Sequence, residues 1–87
     1  MVDPEVQAIF DELNDELEGL PAPVAMSKLF LKIWDELLKT YDKDEATKRI
    51  NFIAWDVSGL PAPNAIARLV NHYVALRLGY FDEYFEG

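Results

Sequence analysis

The five residues Gly-Leu-Pro-Ala-Pro occur twice, at 19–23 and at 59–63, an offset of 40 in a chain of 87 residues. Their chemistry makes each a chain reversal. The glycine takes the left-handed conformation that stops a helix. Each proline pushes the residue before it toward extended backbone. The second proline carries the φ that suits the first position of a new helix. Ala22 and Ala62, at the cap position, have no side-chain acceptor. The first-turn amides therefore call for water, another loop or a bound anion.

Two such reversals divide the chain into segments, and each segment has helical spacing. The first opens with Asp3 as N-cap, Pro4 at the first helical position and Glu5 near the positive end of the helix dipole. Val6, Ile9, Phe10, Leu13 and Leu17 form its apolar stripe, and Gly19 ends it. In the second, Met26, Leu29, Phe30, Ile33, Trp34, Leu37, Leu38 and Tyr41 alternate in steps of three and one, an amphipathic helix over 23–41. The polar stretch 41–47 then offers Asp42 or Asp44 as the next cap.

The third segment is ambiguous on its own. Ala46, Ile50, Ile53 and Val57 have helical spacing, but Phe52 and Trp55 spread the apolar surface round the segment, and 50–57 also fits a buried strand. In the fourth, Ile66, Leu69, Val70, Tyr73, Val74 and Leu78 share a face, with Phe81 and Phe85 continuing it past Gly79. The helix either crosses Gly79, at about 1 kcal/mol, or stops there before a short amphipathic tail.

Aligning 10–40 with 50–80 resolves the third segment. Eight of the 31 positions are identical: the five of the motif, Ala25/Ala65, Leu29/Leu69 and Leu38/Leu78. Apolar positions correspond as well, as in Leu13/Ile53, Leu17/Val57, Met26/Ile66 and Phe30/Val70. Outward positions do not: Asp11, Glu12, Asp15 and Glu18 stand opposite Asn51, Phe52, Trp55 and Ser58. The third segment aligns with the first, so it is assigned as a helix, and its all-round apolar surface predicts the most buried one. The fold class expected is all-α, a four-helix bundle. It is built from two pseudo-symmetric hairpins, about 4–41 and 45–87, in one domain over 1–87, with room for a short fifth helix at the C-terminus.

The net charge of −8 is unevenly placed. Residues 1–18 hold seven acids and no base, residues 19–81 hold six acids and eight bases, and 82–87 hold three acids. Such a charge disfavours direct nucleic-acid binding, because affinity for phosphates comes mainly from Lys and Arg. It suits a basic protein partner, drawn in by long-range attraction. No apolar run approaches the roughly 18 residues of a membrane span. The acidic opening lacks the apolar core of a secretion signal and there is no cysteine. Together these predict a cytoplasmic protein.

Catalytic signals are sparse. His72 is the sole histidine and forms an i, i+4 pair with Arg68, an arrangement expected at the surface or edge of the fourth helix. No serine or cysteine nucleophile pattern accompanies it. The acid-rich stretch 11–19 lacks the spacing of a calcium loop. The expectation is therefore no enzyme, no metal and no cofactor.

Two surfaces remain. Asp11/Asp15 and Glu12/Glu16 are like-charge i, i+4 pairs that oppose helix formation, and Glu16 and Glu18 sit near the negative helix end. The acidic face Asp11, Glu12, Asp15, Glu16 and Glu18 thus marks a protein–protein interaction module that binds a basic partner, of inhibitor, immunity or antitoxin kind. The alternative is a structural or assembly protein that forms a homodimer through Tyr80, Phe81, Tyr84 and Phe85. An anion held at the two proline-flanked helix starts is a third reading.

Overall fold

The computed structural model describes residues 3–85. Their order is α1 (Pro4–Leu17), α2 (Ala22–Thr40), α3 (Lys43–Val57) and α4 (Ala62–Leu78), followed by one 3-10 turn, Phe81–Glu83, and no strand occurs among the described residues. The segment 50–57, which could have been a strand, is helical.

The starts of α1 and α3 follow the capping rule. The Asp3 carboxylate accepts from the Glu5 N–H at 2.8 Å, and the Asp42 carboxylate from the Glu45 N–H at 2.9 Å. Helix α4 does not cross Gly79. That residue has φ 85° and caps the helix, its N–H donating to the Ala75 carbonyl. The 3-10 turn then folds back and places Phe81 in the core.

The two Gly-Leu-Pro-Ala-Pro segments adopt the same path. Glu18 (φ −58°, ψ 130°) and Ser58 (φ −61°, ψ 131°) leave the helix in extended conformation. Gly19 and Gly59 follow at φ 77° and 80°. The Leu20 N–H reaches the Leu17 carbonyl at 3.1 Å, and the Leu60 N–H the Val57 carbonyl at 3.2 Å. These are type II β-turns, whose third position requires positive φ and so favours glycine. The glycines are left-handed as expected, but as part of a turn set one residue beyond the helix end.

The next helix also starts one residue earlier than expected. Its N-cap is the first proline, Pro21 (φ −59°, ψ 149°) or Pro61 (φ −56°, ψ 149°), and the second proline occupies the second helical position. This changes the account of the missing cap. Neither proline has an N–H, and the Val24 N–H already bonds to the Pro21 carbonyl at 3.0 Å. The prolines remove donors that would otherwise need a partner, so the row of consecutive amides that an anion requires is interrupted.

The helices pack with α2 and α4 at the centre, in closer mutual contact than any other pair. Contacts advance in step along both: Ala25 shares a cleft with Ile66 and Val70, Lys32 lies over the Tyr73 ring, and Lys39 shares a groove with Arg77. The two helices are therefore parallel. Helices α1 and α3 run antiparallel to α4: Glu12 meets Arg77 while Leu17 shares a cleft with Ile66, and Asp56 meets Arg68 while Phe52 meets His72. Leu29, Ile33, Leu37, Ile53 and Leu69 are fully buried in the core between them.

The most buried helix is α4, not α3. The consecutive run His72, Tyr73, Val74 and Ala75 is buried, because α4 has neighbours on several sides. On α3, Trp55 is 74% exposed. Helix α1 approaches its neighbours less closely than α3 does.

A β-carbon added at Gly19 or Gly59 would meet nothing within 4 Å. The cost of an alanine there is therefore that of the left-handed backbone alone, about 1 kcal/mol. Gly19→Ala and Gly59→Ala should each lower the urea-unfolding free energy by that amount, and by similar amounts, as followed by far-UV circular dichroism.

Candidate functional site

The acidic face of α1 divides in two. Glu12 and Glu16 turn toward the central helices. Glu12 accepts from Arg77 at 2.9 Å, beside the Tyr73 hydroxyl that Arg77 also reaches at 2.8 Å. Glu16 accepts from Lys32 at 2.6 Å. Burial works against the charge of Lys32, but the hydrogen bond to Glu16 and the surrounding negative charge outweigh it and hold its pKa above the usual value. Asp11, Asp15 and Glu18 are exposed and carry no ion-pair partner among the described residues. Asp11 accepts one neutral hydrogen bond, from the Gln7 amide at 2.9 Å. These three stand at i, i+4 and i+7, a stripe on the side of α1 away from the core.

His72 is not at the surface. It is 8% exposed, its ring edge-on to Phe52 and Phe81, and its Nε2 lies 2.9 Å from Asp56 Oδ2. Arg68, one turn earlier, donates to both oxygens of the same carboxylate at 3.1 and 3.0 Å. Burial raises the pKa of Asp56, yet the hydrogen bond from His72 and the charge of Arg68 prevail and hold it below the usual carboxylate range. The sequence showed the Arg68–His72 spacing but not the acceptor 16 residues before His72 that draws the ring inward. This cluster has a carboxylate, an imidazole and a guanidinium, all directed at one another. Among the described residues, no group of three His, Asp or Glu side chains is placed to hold a metal ion.

The C-terminal aromatics are mostly used internally. Phe81 is 1% exposed and Phe85 is half-buried, packed against Phe52 with ring centroids 5.6 Å apart. Tyr80 is half-buried and only Tyr84 is exposed. Between these rings and α3 lies Arg49, another buried charge that periodicity did not reveal. Its guanidinium sits 3.8 Å from the centre of the Tyr41 ring and 4.5 Å from that of Phe85. Glu45 and Asp82 accept from it at 3.0 Å each. Hydrogen bonds from Arg49 and Lys48 lower the pKa of Glu45. The arrangement ties the C-terminal turn to α3 by stacking and charge together. One signal for Arg49 exists in the sequence: at the offset of 40 it stands opposite Ile9, a core residue.

Two further features escaped the sequence reading. Phe10, Leu13 and Leu17 of α1 and Ile66 and Val70 of α4 line an open apolar cleft of about 550 Å³. On α2, Val24, Leu31 and Leu38 are exposed, Leu31 by 66%. Leu38 had been counted with the core stripe and Leu31 left out of it. Their even spacing of seven was the available signal.

The sign of the Asp56 shift gives a pH dependence. A carboxyl whose pKa is lowered by folding contributes stability above its unfolded pKa, and that contribution is lost as pH falls through the folded value. The Asp56 contribution should be lost as pH falls below about 4. Asp56→Asn should cost roughly 1–2 kcal/mol at neutral pH and flatten the acid limb. Urea titrations across pH measure both.

Comparison with known proteins finds no matching family, no matching characterised protein and no matching solved structure.

Proposed function

We propose that this is a non-enzymatic protein-binding module whose docking surface for a basic partner is the outer face of α1. The reading is of the inhibitor, immunity or antitoxin kind, acting in the cytoplasm. The observation that carries it is the unpaired stripe Asp11, Asp15 and Glu18.

The protein reads as two copies of one helical hairpin in a four-helix bundle. Three features favour that: the matching turn dihedrals, the same burial at Leu13/Ile53, Ala25/Ala65 and Leu29/Leu69, and a side-chain contact to an acid that recurs at the offset of 40. Glu16–Lys32 and Asp56–His72 are counterparts. In the second copy the positions of Asp11, Asp15 and Glu18 are Asn51, Trp55 and Ser58, and the hairpin folds without charge there. The acids are therefore not demanded by the hairpin. Their mutual repulsion costs a few tenths of a kcal/mol, and a cationic partner would remove it.

Self-association through 80–85 draws less support, since Phe81 is enclosed and Phe85 and Tyr80 are half covered.

The variant Asp11→Lys/Asp15→Lys/Glu18→Lys should keep its helical circular dichroism and unfold at equal or slightly higher urea. It should bind its partner about tenfold or more weakly, first identified by affinity capture and mass spectrometry with the wild-type protein. Undiminished capture of the same partner by the triple variant would overturn the proposal.

A further inference from the structure

We propose that a second copy of this chain docks on the outer face of α2, forming an antiparallel two-fold pair through Val24, Leu31 and Leu38. This is separate from the α1 surface and does not depend on it.

The stripe is opposite the buried positions Ala25, Leu29, Ile33 and Leu37 of the same helix. Its three residues repeat every seventh position and extend about 21 Å along α2. Ser27, Trp34 and Tyr41 recur beside them at the same spacing, Trp34 and Tyr41 half-buried. A repeat of seven with two such rows is the pattern by which two helices pack along a shared seam. The intramolecular packing of α2 uses the edge formed by Trp34 and Tyr41 but leaves Val24, Leu31 and Leu38 exposed. The matching positions on α4 are Asn64, Asn71 and Leu78, with both asparagines exposed. A helix in the same setting thus needs no apolar residue at the first two positions.

Charge names the occupant. Lys28 and Asp35 flank the stripe on one side, seven residues apart, on either side of Leu31. Both are exposed and neither has an ion-pair partner among the described residues. When two α2 helices cross antiparallel about Leu31, Val24 meets the other copy's Leu38. Lys28 of each copy then meets Asp35 of the other, twice across the two-fold axis. The face is complementary to itself in charge and in apolar placement. A parallel arrangement would put the Lys28 and Asp35 of each copy on opposite sides of the seam, where neither meets its counterpart. Pairing through the outer face of α1 would oppose the three unpaired acids Asp11, Asp15 and Glu18, with no base in α1 on either side.

Sedimentation velocity over a range of concentrations tests this, at fixed physiological salt. The wild type should pass from monomer to dimer. Leu31→Glu, at an exposed position, should keep its circular dichroism and raise the dissociation constant roughly a hundredfold. Lys28→Asp should weaken the dimer about tenfold, and Lys28→Asp/Asp35→Lys should restore it. A wild type that stays monomeric to high micromolar concentration overturns the proposal. So does a dimer that survives Leu31→Glu but is lost with Tyr84→Glu, which would assign association to the C-terminal aromatics. A double charge swap that fails to restore the Lys28→Asp variant overturns the antiparallel geometry.

Discussion

The parallel packing of α2 against α4 is the constraint from which the rest of the structure follows. Two parallel neighbours cannot be joined by a short turn, because the chain must first travel back along their length. Helix α2 has 19 residues, or about 28 Å at 1.5 Å per residue. The return is made by α3, which must therefore lie antiparallel to both and turn sharply at each end. At one end Tyr41 and Asp42 suffice; at the other the chain needs Ser58 to Pro61. A type II turn closed by Gly59 and a proline-capped helix start meet the requirement in four residues. Helix α1 is joined to α2 by a turn of the same kind.

Positions 40 apart in sequence differ where charge reaches the margin of the core. Ile33 and Leu37 on α2 become Tyr73 and Arg77 on α4, and Glu12 of α1 meets that pair. Ile9 becomes Arg49, and the C-terminal turn with Asp82 and Phe85 closes over it. In both cases a long cationic side chain stands 40 residues from a buried apolar one. Each has an acid and a ring within reach, which lets Arg49 be enclosed without a large loss of stability while Arg77 stays exposed. No buried side-chain nitrogen or oxygen among the described residues lacks a partner. The core is thus apolar where α2 and α4 meet and ionic at its margins.

The helices, their caps at Asp3 and Asp42, and the stop at Gly19 and Gly59 were legible because they depend on neighbours in sequence. Periodicity identified one face of each helix. It could not give the number of faces a helix must bury, because that is decided by how many other helices touch it. Trp55 and His72 show the consequence in opposite directions. Trp55 lies on an apolar-looking helix that has few neighbours on that side, and is exposed; His72 lies among polar residues but meets Phe52, Phe81 and Asp56, and is enclosed. Acidic residues presented the same difficulty. Five of them formed one face by sequence, but Glu12 and Glu16 have cations waiting on α4 and α2, and only Asp11, Asp15 and Glu18 are left to solvent.

That remainder sits on the helix least closely held. Ile9 and Leu13 are the buried anchors of α1, and its two ion pairs, Glu12–Arg77 and Glu16–Lys32, involve half-exposed carboxylates, so each contributes a fraction of a kcal/mol. Against these acts the repulsion within the stripe and the absence of any base in the helix's last turn. A cation bound on the outer face opposes both terms. It neutralises the stripe and complements the negative end of the helix, while leaving the apolar contacts on the inner face untouched. Binding there and docking of α1 onto the core are consequently linked: whatever binds the docked helix more tightly than the detached one stabilises the docked form by the same free energy. The charge that weakens the fold at α1 is the charge through which a partner would strengthen it.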